Sequence, residues 1–125
     1  METYLNSVVK RFEYYKLLGE QTFAQLTDEA LFWQYNEESN SIATIIKHIS
    51  GNMLSRWTDF LTTDGEKPWR NRDSEFEHDI KTRPELMDLW NAGWLCLFNA
   101  LGSIKDDAGK KKFISAMSHI AYWMP

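Results

Sequence analysis

Two histidines hold most of the chemistry this chain can offer. His48 sits in an otherwise apolar helical stretch, Asn40 to Leu54, and His119 lies on a matching stretch near residue 125. At about 100° per residue His48 falls beside Ser41, Asn52 and Asp59, on the border between the apolar arc and a polar one. An imidazole there can bind a metal, act as a base, or donate to a neighbouring helix. Catalytic zinc-type sites usually take about three protein ligands and keep one position open. A second ligand one turn after His119 would complete such a set, but position 123 is Trp. His78 follows Glu75-Phe76-Glu77 in a long connection and reads as a solvated loop histidine.

Other residues carry weaker signals. In Lys67-Pro68-Trp69-Arg70-Asn71-Arg72 the arginines could clamp a carboxylate under a Trp69 lid. The reading we favour makes Trp69 a loop anchor and pairs the arginines with Asp64, Asp73 or Glu75. Cys96, between Leu95 and Leu97 and near Trp94, reads as a small buried apolar residue with no base nearby in sequence. The six tryptophans read as core and interface mass.

The elements that must position these groups are helical. Leu5, Val8, Val9, Phe12, Phe23 and Leu26 share one stripe, and Gly19 on that side allows close approach of a neighbour. Thr27-Asp28-Glu29 opens a short helical turn. Asn40 or Ser41 caps a second long helix with Ile42, Ile45, Ile46, Ile49, Met53, Trp57 and Phe60 on one face, ending near Thr62 to Gly65. Residues 66 to 81 form a long connection, pinned by Trp69 and Phe76. Thr82-Arg83-Pro84-Glu85 is a capping box that starts a third stripe from Leu86 to Leu101. Phe113, Ile114, Met117, Ile120, Ala121 and Met124 make a fourth, shorter helix. The expectation is an all-α fold, a four-helix bundle, forming one domain over residues 1–125.

Composition narrows the function. The net charge is -4, and the densest basic run, Lys110-Lys111-Lys112, lies beside Asp106 and Asp107. Nucleic-acid binding is disfavoured, since it calls for a basic face. No apolar run approaches the roughly 20 residues that span a bilayer. The start, Met1-Glu2-Thr3-Tyr4-Leu5, lacks the pattern of a secretory signal, and a single cysteine suits a reducing compartment. These features point to a soluble cytoplasmic protein.

The stretch Ser39-Asn40-Ser41-Ile42 through His48, Gly51-Asn52-Met53-Leu54-Ser55-Arg56-Trp57-Thr58-Asp59-Phe60, and Asp64-Gly65-Glu66-Lys67-Pro68-Trp69-Arg70-Asn71-Arg72-Asp73 resembles the DinB-like family, and within it an uncharacterised bacterial branch. The likeness runs from Leu5 to about Leu101. It implies a four-helix bundle, often a homodimer. It also implies a divalent metal, zinc or nickel, held by a histidine of the second helix and an HxxxH pair on the fourth. Relatives are thiol-dependent transferases and isomerases that use low-molecular-weight thiols. His48 matches the second-helix ligand and His119 the first histidine of the pair, with Trp123 in the place of the other. The segment before the fourth helix is shorter than the family pattern and that helix reads as truncated. The resemblance thus implies a metal-binding protein descended from metal- and thiol-dependent transferases. The alternative is a non-enzymatic helical-bundle binding module that has lost its metal site.

Overall fold

A computed structural model describes residues 2–63, 67–71, 73–76 and 80–120; the side chains of 2, 74, 76 and 118–120 are outside the description. Five α-helices and one 3-10 turn follow in order: α1 (Glu2–Ala24), α2 (Asp28–Phe32), α3 (Ile42–Trp57), the 3-10 turn (Asp73–Phe76), α4 (Arg83–Gly102) and α5 (Asp107–Ile120). The described residues contain no strand. The all-α bundle expected from the hydrophobic periodicity is what forms.

Local chemistry sets the helix starts. Thr27 accepts from the backbone N–H of Ala30, Ser41 from that of Thr44, and Thr82 from that of Glu85. The Thr82 hydroxyl also donates to the Glu85 carboxylate at 2.7 Å. Asp106 caps α5 by accepting from Gly109 N–H at 2.8 Å. That cap starts α5 six residues before Phe113, where the apolar pattern begins. The second long helix is shorter than its stripe. It stops at Trp57 because Asp59 takes a left-handed backbone conformation (φ 53°), one that Asp tolerates better than most residues. Phe60 nonetheless reaches the core from the turn that follows.

Contacts between helices fix the topology. Gly19 and Phe23 of α1 meet Trp90 of α4, and Phe12, earlier in α1, meets Trp94, later in α4, so these two run antiparallel. Gly93 packs on Ser50 and Met53, while Thr58 reaches Cys96, so α3 and α4 run in the same direction. Only a long crossover can join them, which accounts for the 25 residues from 58 to 82. Phe113 stacks on Trp57 and Gly109 sits by Leu61, making α5 antiparallel to α3. Lys110 lies over the Tyr4 ring, closing the square between α5 and α1.

Three of the six tryptophans, Trp57, Trp90 and Trp94, are core residues. Trp33 and Trp69 are mostly exposed, and Trp123 lies outside the described residues, so three of the six supply the core part of the expected core and interface mass. Arg83 at the start of α4 donates to the carbonyls of Phe23 and Leu26 and pairs with Asp28, tying down the α1–α2 corner.

Candidate metal centre

An apolar stripe alone would leave one side of α3 in water. Instead α3 is buried on most of its circumference, including Thr44, Lys47, His48, Ser50, Asn52, Ser55 and Arg56. Ile45, counted in the apolar stripe, is 42% exposed. The polar flank is covered by the crossover. Lys67 donates to the Ser55 carbonyl at 2.8 Å, and the 3-10 turn lays Glu75 against Gly51.

Gly51 makes that contact possible. A Cβ there would sit 2.0 Å from Glu75 Oε2 and 2.8 Å from its carboxyl carbon. With no side chain in the way, the carboxylate reaches His48 one turn earlier, Nδ1 to Oε1 at 3.1 Å. Arg70 holds the same carboxylate through two donors, Nε to Oε2 at 3.0 Å and Nη2 to Oε1 at 3.2 Å. All three side chains are at least nine-tenths buried. The two-pronged Arg–carboxylate geometry and the low accessibility make this pair stronger than an exposed one.

The chemical consequence lies on His48. A carboxylate accepts only, so Nδ1 carries the proton, and in the neutral ring the lone pair is on Nε2. Metal-ligating histidines are commonly held this way, with the second nitrogen donating to a carboxylate that fixes tautomer and ring orientation. The donor chemistry at His48 therefore fits a metal ligand.

Of the other sequence candidates, His119 falls in the last turn of α5, but its side chain lies outside the described residues, as do His78 and Trp123. Helix geometry still fixes its level. Position 119 is six residues beyond Phe113, a rise of about 9 Å, and the same distance back along antiparallel α3 from Trp57 reaches Gly51. It also shares a strip of α5 with Lys112, which donates to the Leu61 carbonyl just beyond α3. Counted along the two helices from the Trp57–Phe113 contact, position 119 comes level with Gly51, one turn from His48. Among the described residues no three His, Cys, Asp or Glu side chains cluster as a metal would require.

Arg70 pairs with Glu75, one of the three carboxylates anticipated for it. Trp69 does not anchor the loop: it is 57% exposed, and buried polar contacts hold the segment instead. The Phe76 side chain, also expected as a pin, lies outside the description. Sequence reading missed the Glu75–His48 bond. Its one available signal was Gly51, a helix-interior glycine flanking the His48 side. Cys96 is half-buried rather than fully so, with Sγ 3.4 Å from the Thr58 hydroxyl. It borders an open groove of about 610 Å³ between residues 57–62 and α4.

No helix among the described residues is long and apolar enough to cross a membrane. The chain matches no curated protein and no solved structure. A family model described as "Protein of unknown function (DUF1572)" matches residues 1–121. The match spans His48, the Arg70–Glu75 pair, His119 and all five helices, so the chain belongs to the DUF1572 family.

Proposed function

We propose that this is a DinB-like bundle with an interior divalent-metal site, zinc or nickel, that takes His48 and His119 as ligands and descends from metal- and thiol-dependent transferases. The observation that carries the reading is the Glu75–His48 bond: a buried carboxylate, itself gripped by Arg70, sets the imidazole in a ligand's tautomer. Support also comes from the level of position 119 on α5, counted as one turn from His48 on α3. Such an ion, when bound, supplies a Lewis acid able to hold a thiolate or to lower the pKa of a bound water. The chain's own part is to orient His48, keep the flank of α3 dry beneath the crossover, and admit a low-molecular-weight thiol. A reducing cytoplasmic setting and a homodimer belong to the same proposal.

The test is metal content. Protein purified without a histidine tag or chelator is expected to carry close to one zinc or nickel per chain, and His48→Ala and His119→Ala are each expected to lose it. Absence of metal from the wild type, with no thermal shift on adding zinc or nickel, would overturn the reading. One observation favours a second reading, a non-enzymatic binding module. The Arg70–Glu75–His48 group is charge-balanced with His48 neutral, so it can serve as a purely structural clasp for the crossover.

A further inference from the structure

Between α2 and α3, Trp33 and Tyr35 are left in water, 61% and 76% exposed, with ring centroids 6.1 Å apart in an edge-to-face pair. Single exposed aromatics are ordinary, whereas two in contact have the composition of an interface. The loop that carries them is held by its own side chains. Gln34 Nε2 donates to the Ser39 carbonyl at 2.6 Å, and Asn36 Oδ1 accepts from the backbone N–H groups of Glu38 and Ser39, each at 2.9 Å. A partner therefore meets a surface already in shape, with little left to order on docking.

Charge says which partner. From Leu17 to Ile46 the chain has five acids, Glu20, Asp28, Glu29, Glu37 and Glu38, and no Lys, Arg or His. All 14 bases and 13 of the 18 acids lie elsewhere, so the net charge of -4 comes from this stretch. Glu20 pairs with Lys16, and Asp28 with Arg83. Glu29, Glu37 and Glu38 are exposed and enter no ion pair among the described residues. Of the bases at this end of the bundle, Arg83 is taken by Asp28 and Lys47 is buried, while Lys81 stays exposed. The three carboxylates outnumber it.

We propose that the Trp33–Tyr35 corner docks the basic surface of a partner protein, whose arginine side chains stack on the two rings and pair with Glu37 and Glu38. Guanidinium is the cation that does both, since it lies flat on an aromatic face and forks onto a carboxylate. Trp, Tyr and Arg are also the residues on which binding energy concentrates. Other occupants fit less well. A small quaternary ammonium needs rings that stand apart to enclose it, and these two already touch. An anionic lipid surface would be repelled by the three carboxylates, and so would nucleic acid. Docking here is independent of a metal at His48, so either can fail without the other.

The test titrates the full, isotope-labelled chain with an oligo-arginine peptide and, in parallel, with oligo-lysine of equal length, read by two-dimensional NMR. Saturable shifts are expected at the Trp33 indole and the backbone amides of residues 34–39. Oligo-lysine is expected to bind about fivefold more weakly. Trp33→Ala with Tyr35→Ala should weaken oligo-arginine at least about tenfold. Glu37→Gln with Glu38→Gln should weaken it too and flatten its salt dependence. All four side chains are exposed, so the melting temperature should stay close to that of the wild type. Shifts spread equally over other exposed acids, such as Asp106 and Asp107, would mean plain charge attraction and overturn the proposal. An affinity that ignores the aromatic variant, or no saturable shift at Trp33, would do the same. Preference for phosphatidylcholine vesicles over the peptide, or a wild-type dimer that the aromatic variant dissociates, would overturn it in favour of lipid or a second copy.

Discussion

At the scale of single residues, the balance between Glu75 and its two partners governs the flank of α3. Removing one member of a buried, hydrogen-bonded ion pair leaves an uncompensated charge in a place water does not reach. Glu75→Gln keeps the shape and deletes the charge, stranding the Arg70 guanidinium. It is expected to cost about 3 kcal/mol in urea unfolding and to weaken the proposed metal affinity about tenfold, by releasing the tautomer of His48. Arg70→Met should cost a similar amount. The double variant Arg70→Met, Glu75→Leu should cost clearly less than the sum of the two, since no charge is then left unpaired. Additive losses would mean that the two side chains act independently. The sequence supplied the residue types for this group but not their pairing. Arg70 had three carboxylates within reach along the chain, and nothing in one dimension says which of them folds back under α3.

At the scale of elements, glycines mark the places where backbones must come close. Gly93 lets α4 lie on Ser50, and Gly19 accepts the Trp90 ring. Gly51 differs from both, because what it accepts is a carboxylate. Alanine in a helix interior normally gains about 1 kcal/mol over glycine. Gly51→Ala is nevertheless expected to lower stability by about 2 kcal/mol net, because the new methyl evicts Glu75 from its seat beside His48. A melting temperature equal to or above that of the wild type would contradict this. Two helix starts, by contrast, were legible: Ser41 and Thr82 cap where their types and spacing allow, and Thr82→Ala should cost about 1 kcal/mol, whereas the Asp106 cap that starts α5 ahead of its apolar pattern was not read. Helix ends were less so. The stripe that reaches Phe60 carries no mark of the left-handed turn at Asp59, since an apolar side chain can enter the core from a turn as well as from a helix. Burial of the polar flank of α3 was equally hidden, because it depends on a crossover whose route the hydrophobic pattern does not encode.

At the scale of the whole molecule, α1 presents Tyr14, Tyr15, Leu17 and Leu18 to solvent along its second half. The proposed homodimer would cover this face. Sedimentation equilibrium is expected to give twice the chain mass, and Leu17→Glu with Leu18→Lys to halve it without loss of helicity; a monomeric wild type would remove the dimer from the proposal. The bundle itself followed from the periodicity of four stripes, whereas the direction of each helix did not. The length of the connection before Thr82 was the only hint that α3 and α4 run the same way.

That shared direction has a kinetic consequence. Helices α4 and α5 are linked by only four residues, a loop that closes at little entropic cost. The seam between α3 and α4, with Gly93 at its centre, must wait until a 25-residue tether has closed. The flank that seats His48 should therefore mature last during refolding. Substitutions at Gly51 or Glu75 would then speed unfolding and leave the folding rate nearly untouched.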